Sequence, residues 1–405
     1  MNKPIKIAII ATAAALILGG GYLLYQRYYG GVSKITLNEA SSADYDYRQI
    51  ASDNGIVSDY LWMRTKQLML GKDGDSLMIP SSYMIEGRLS YQDAESSEDY
   101  RLEDQAALLM MYIRSGDRIA ALKLKEQVLS YYDFEQESNY ELSAWLEAYL
   151  SYYSRYGSNK DLEQINSLTD ILFDEAGNMR EETLSVAMYD QGDFFSTVDT
   201  PQGGLSTLEQ GTTPQQTEYT SIEGVQIASV NLRLIRNLEN NGFLPAGSYD
   251  NNLQLVLDSK VSSGIPLYAY AYSNGIYIYS HDIAAAVDVE EAVITMRHLS
   301  EVNELPSDSY TWLKNQVFNG GTLRNEYFYS TGTTDGQEST DIYPDIMLIA
   351  LELDDMDLYR SAVALEGMRV ATYSNSPALS MIFREEEGRF VFYARENLLV
   401  CLAVT

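Results

Sequence analysis

One cysteine and two histidines in 405 residues exclude more chemistry than any other feature of this chain. Cys401, His281 and His298 cannot build a disulfide framework, a zinc cluster or a Cys–His nucleophile. Basic residues are also scarce: 28 Lys and Arg stand against 58 Asp and Glu, a formal charge of −30. A body that acidic repels nucleic acid and anionic membrane surfaces, and nucleic acid is excluded as a partner. What the chain has in quantity is carboxylates and 33 tyrosines, within a composition that is 45% hydrophobic and 21% charged. That is a globular composition with enough chain for a large core. Acid–base chemistry by Asp and Glu, on a ligand that favours aromatic faces, is the reaction class left.

The one long uncharged run lies at the start. Lys3 and Lys6 precede Ile7–Tyr25, 19 residues, and Arg27 follows. At ~1.5 Å per residue the run spans about 28 Å, close to a bilayer core of about 30 Å. Tyr22, Tyr25, Tyr28 and Tyr29 stand where an interfacial aromatic belt lies, and the lysines favour an amino end in the cytoplasm. Residues 1–30 are therefore expected to be an uncleaved signal anchor, a single-pass transmembrane helix, with the rest of the chain outside the cytoplasm; a cleaved signal peptide is the alternative. Residues 31–50 read as a tether, and 51–405 as one body without a composition break.

Helical periodicity marks about 56–70, 103–114, 117–132, 140–156, 160–173, 220–240, 283–300, 308–318, 344–353 and 356–371. Two stretches look β-like: 264–280, turning at Ser273-Asn274-Gly275, and 379–404, turning at Glu387-Gly388. Residues 196–216 form a long Gly/Thr/Gln/Pro-rich loop. The regular period and consensus of tetratricopeptide repeats are missing. This succession predicts an all-α toroid with small β-hairpin additions, with a helical-repeat, protein-binding scaffold as the lesser reading.

Glu103 opens the helix of YRLEDQAALLMMYI, whose Leu102, Ala106, Leu109 and Met110 form an inward stripe. An acid there also complements the helix dipole, as Asp104 would. Before it come Trp62 on a helix and a loop holding Gly87-Arg88-Leu89; after it comes a helix opening Glu137-Ser138-Asn139-Tyr140-Glu141. Further on, Tyr279-Ser280-His281-Asp282 leads into IAAAVDVEEAVITMRHL. This order resembles glycoside hydrolase family 8, the six-hairpin (α/α)6 glycosidases. Leu102-Glu103-Asp104-Gln105 stands where that family has Ser-Glu-Gly-Gln, Ser138–Glu141 where it has a run with two aspartates, and His281-Asp282 where it has Tyr-Asp-Ala-x-Arg. The chain departs from the pattern at Asn139, Glu141, His281 and Ala285.

The resemblance implies an inverting, endo-acting hydrolase of β-linked polysaccharide that requires no metal and no organic cofactor. Glu103 would be the general acid and Asp282 the base, with the two carboxyls ~6.5–9.5 Å apart to admit a water. Asn139 and Glu141 would contact the sugar, although Ser138 or Asn139 also reads as a plain N-cap. Asp282 likewise reads as a cap of its helix. Tyr83, Tyr100, Trp145, Tyr219 and Tyr279 are the candidate stacking faces. A polysaccharide substrate, the membrane through the N-terminal helix and an exopolysaccharide synthase complex are the expected partners. A catalytically degenerate toroid that only binds a polysaccharide or a synthase subunit is the rival reading.

Overall fold

The computed structural model describes residues 35–38, 46–70, 77–86, 94–187, 219–261, 264–281, 286–328, 331–334 and 337–405. The expected transmembrane run, Gly87-Arg88-Leu89, the 196–216 loop and Asp282 lie outside the described residues. Among the described residues no helix is long and apolar enough to cross a membrane.

Thirteen helices occur among these residues. A short α1 (Tyr47–Asp53) precedes six pairs. The pairs are α2 (Ser58–Met69) with α3 (Leu102–Ser115), α4 (Arg118–Tyr131) with α5 (Asn139–Tyr156), and α6 (Asn159–Leu172) with α7 (Leu232–Asn240). They continue with α8 (Ser248–Asp258) and α9 (Val289–Ser300), α10 (Ser307–Asn315) and α11 (Tyr343–Glu352), then α12 (Met356–Gly367) and α13 (Ala394–Val404). The odd-numbered members from α3 to α13 pack side by side in a closed ring, α13 returning to α3. The even-numbered members lie outside; α4 covers α3 and α5, α6 covers α5, and α12 covers α11. This is the toroid that the periodicity predicts, and its closure separates it from an open helical-repeat scaffold.

Local sequence sets the helix ends. Ser138 Oγ accepts from the Glu141 N–H at 3.3 Å and starts α5. Asp355 accepts from the amides of Asp357 and Leu358 and starts α12. Gly116 closes α3 at φ 72°, a left-handed conformation that costs glycine little. The inner helices are buried nearly all round: ten of the eleven residues of α13 are buried, every one but Arg395.

Among the described residues ten short strands form three antiparallel sheets over the toroid's edges: β2-β1-β10-β9, β3-β4-β5-β6 and β7-β8. The hairpins at Asn274-Gly275 and Glu387-Gly388 occur as expected, joining β5 (Ala271–Ser273) to β6 (Ile276–Ile278) and β9 (Arg384–Glu386) to β10 (Arg389–Tyr393). Both turn residues of each have positive φ, which matches the right-handed twist of the strands.

Three expectations need correction. Residues 394–404 are helical, not β: NLLVCLAV is an apolar run whose periodicity cannot distinguish a strand from a helix buried on every side. Residues 220–226 belong to β4 (Tyr219–Gln226), where Gly224 lets the strand approach β5; a Cβ there would stand 2.8 Å from the Tyr272 carbonyl oxygen. Residues 286–288 form β7 (Ala286–Asp288), paired with β8 (Glu326–Phe328), so α9 begins at Val289 and not next to Asp282.

Candidate active site

The inner helices begin at one end of the ring, where their first turns supply Glu103 (α3), Tyr140 and Glu141 (α5), Glu290 and Glu291 (α9), Asp345 (α11) and Arg395 (α13). Aligned peptide dipoles make that end positive and favour carboxylates there. Glu103 is buried, with one oxygen 2.6 Å from the Arg101 guanidinium and the other 3.3 Å from Arg395 Nε. Arg395 is the hub, donating also to Asp345 at 2.9 Å and to the Tyr140 hydroxyl at 3.3 Å.

From Asp345 the charges continue down the ring axis. Arg297 pairs with Asp345 and lies 3.7 Å from Glu301, and Arg233 reaches Glu301 at 3.3 Å, Glu147 at 2.7 Å and Glu352 at 3.2 Å. All six inner helices contribute to this chain, Glu301 from the C-cap of α9. A cavity of about 110 Å³ follows it, walled by small and flexible side chains such as Ala106, Ala144 and Met110.

Several carboxyls at the mouth hold protons unusually well. Burial, then the neighbouring Glu103, push Glu141 up to about 7 against the pull of Arg101. Burial and Asp341 push half-buried Glu290 up to about 8 against Arg395. Burial and Asp288 push Glu291 up to about 7. Asp104, almost wholly buried with one oxygen unpartnered, is raised well above the carboxylate range by burial and by Glu103. Asp341 goes the other way: burial is outweighed by Arg384 and the Ser339 hydroxyl. Three steps around the ring separate α3 from α9, so Glu103 and Glu290 belong to opposed helices. With neighbours about 8–10 Å apart, opposed axes in a ring of six lie about 16–20 Å apart.

The residues named from sequence are not all at this mouth. Glu103 is there, and Glu141 joins it through Arg101 Nε at 3.2 Å. Tyr100 borders an adjoining open groove with Arg101, Tyr131, Tyr132, Glu137 and Glu141. Asn139 is buried, its amide donating to the Arg180 carbonyl at 2.8 Å and its N–H to Glu182 at 3.0 Å, so its polar groups are used at the β3 (Glu182–Ala187) edge. Trp145 is 0% exposed and stacks on Tyr149, which leaves no face for a sugar. Tyr83 is also buried, its ring against Phe392 within the β1 (Ser82–Glu86)–β10 pair. Tyr219 is exposed at the start of β4. Tyr279 is half-buried, its carbonyl accepting the Asp288 N–H at 3.4 Å. Beside it, His281 Nδ1 lies 2.7 Å from Asp288 Oδ2. Among the described residues no group of three or more His, Cys, Asp or Glu is placed to hold a metal ion.

Glu290, Glu291, Asp341, Arg101 and Arg395 were not anticipated. The acid pair in VDVEEAV was a visible signal, but it reads as mid-helix until the strand before it is known. The partnership of Arg395 with Glu103 spans the chain and leaves no local trace.

No family model matches this chain and no curated protein matches it. Solved structures do. An α-amylase from Clostridium perfringens, 15% identical, superposes with a TM-score of 0.62 over 86% of this chain and 96% of that one. A β-1,3-1,4-glucanase from Paenibacillus sp. X4 does so at 7% identity and a TM-score of 0.50, covering 92% and 97%. A cold-adapted family 8 xylanase gives 11% and 0.50, covering 91% and 96%. At these identities the likeness is one of fold: the described body is a six-hairpin (α/α)6 toroid.

Proposed function

We propose that the chain is a glycoside hydrolase, anchored in the membrane by residues 7–25 with its toroid outside the cytoplasm, that cleaves a β-linked polysaccharide internally with inversion. The observation that carries this reading is the mouth itself: a buried Glu103 at the start of α3, beside a tyrosine-lined groove. The fold is shared with proteins described as an amylase, a glucanase and a xylanase, which supports a glycan substrate. Glu103 would protonate the leaving oxygen and Asp282 would activate water, the roles the family resemblance gives them. Exopolysaccharide from a neighbouring synthase is the substrate suited to an anchored enzyme.

Release of reducing ends from α- and β-glucans, xylan, chitosan and exopolysaccharides tests the activity. With a substrate found, Glu103→Gln is expected to lower cleavage by about 10²–10⁴-fold. Complete inertness of the native chain, together with retardation in a polysaccharide affinity gel, would establish the binding-only toroid instead.

A second reading takes Glu290 in place of Asp282 and makes Glu103 the base. Glu103 has two guanidinium partners, which suit a carboxylate, while Glu290 keeps its proton up to about 8. Glu290 would then be the donor and Glu103 the base. An aryl glycoside with a good leaving group needs little proton assistance, so it rescues loss of the acid and not of the base. Rescue of Glu103→Gln supports the first assignment; rescue of Glu290→Gln supports the second.

A further inference from the structure

Arg101 stands at the N-cap of α3, where Ser, Thr, Asp or Asn is the usual choice, and its side chain gives the helix no cap hydrogen bond. Its guanidinium instead lies between two inner helices. It is 2.6 Å from Glu103 on α3, and Nε is 3.2 Å from Glu141 on α5. The other cation on Glu103, Arg395, has only 13% of its side chain exposed and is pinned by Asp345 and Tyr140. Arg101 is 48% exposed, at the border between the mouth and the tyrosine groove. It is therefore the outer of the two cations on Glu103, bordering solvent on one side and a buried carboxylate on the other.

We propose that Arg101 is a positioning residue, whose guanidinium ties Glu103 to Glu141 across the α3–α5 seam and holds the two carboxyls in place at the mouth. The proposal rests on the hydrolase reading for its catalytic meaning, not for its test. The charged and titratable groups around the seam are Glu103 and Asp104 from α3, Tyr140 and Glu141 from α5, Glu137 and Tyr132 before α5, and Arg395 from α13. Burial, Glu103 and Glu137 raise Glu141's hold on its proton, whereas Arg101 lowers it.

Arg101→Gln and Arg101→Lys separate charge from shape, and Arg101→Met is the second neutral variant should the first not fold. The direct measurement is a ¹³C-carboxyl NMR titration of the glutamate-labelled protein. The Glu141 midpoint is expected to move upward in Arg101→Gln and to stay near the native value in Arg101→Lys. With a cleaved substrate, the alkaline limb of kcat/KM should move upward in Arg101→Gln and return in Arg101→Lys. A cap or packing role would change stability and leave both profiles in place. Native titration midpoints in a folded neutral variant would overturn the proposal. Absence of cleavage by the native chain would instead overturn the hydrolase reading, and the titration would still decide on Arg101.

Discussion

Asp104 follows Glu103 directly, yet its environment is different. Glu103 meets two guanidiniums, whereas Asp104 is buried with an unpartnered oxygen. Its folded pKa is raised, by burial first and Glu103 second. Its contribution to stability is thus fully present below the unfolded value of about 3.9 and is lost as pH rises toward the folded one. Asp104→Asn removes that dependence. In urea titrations the variant is expected to exceed the native chain in stability at pH 8 and to lose the advantage toward pH 5. Glu103→Gln should cost stability as well as activity, because it removes the charge that faces Arg101 and Arg395. Single residues were legible where a helix start marks them, as with Glu103 and Glu141. Trp145, Tyr83 and Asn139 looked like ligand contacts because aromatics and amides suit sugars. In a closed ring, however, most side chains of an inner helix face other helices, and burial outweighs chemical suitability.

At the scale of elements, the helices with polar outer faces were readable, and those hidden inside were not. The periodicity over 117–132 and 160–173 reports one wet face and one dry face, and both became outer helices. α13 has no wet face, so its sequence lacks that contrast. α8 was absent from the periodicity reading, since Asn251, Asn252 and Gln254 interrupt its apolar spacing. The outer helices also depend on specific ties. Asp355 caps α12 and at the same time receives Lys314 from α10 at 2.5 Å and the Tyr310 hydroxyl. Asp355→Ala removes the cap and the joint between α10 and α12 together, and a loss of about 1–3 kcal/mol in chemical unfolding is expected. Arg233→Ala should cost more, about 3–5 kcal/mol, because it leaves Glu147, Glu301 and Glu352 facing one another without their common cation.

Over the whole molecule, the titrations define a window. Glu141, Glu290 and Glu291 are raised to about 7, 8 and 7, so the stability they lend is lost as pH climbs from the unfolded value near 4.3 through that range. Glu301 is held down to about 2, where Arg233 and His298 outweigh burial; what it lends is lost as pH falls through about 4 toward 2. Thermal unfolding is expected to peak between about pH 4.5 and 6, and added salt should raise the midpoint at pH 8 by screening a net charge of −30. A midpoint that rises steadily from pH 5 to pH 9 would contradict these assignments. The ring closure has a temporal consequence. Arg114 of α3 donates to the carbonyl of Leu402 in α13, 288 residues later, and Arg395 of the same last helix completes the surroundings of Glu103. A nascent chain can build five-sixths of the circle and still lack its hub. Closure therefore arrives in one late step, and a product clipped before residue 394 is expected to leave the ring open and Glu103 without Arg395, however well its remaining helices had formed.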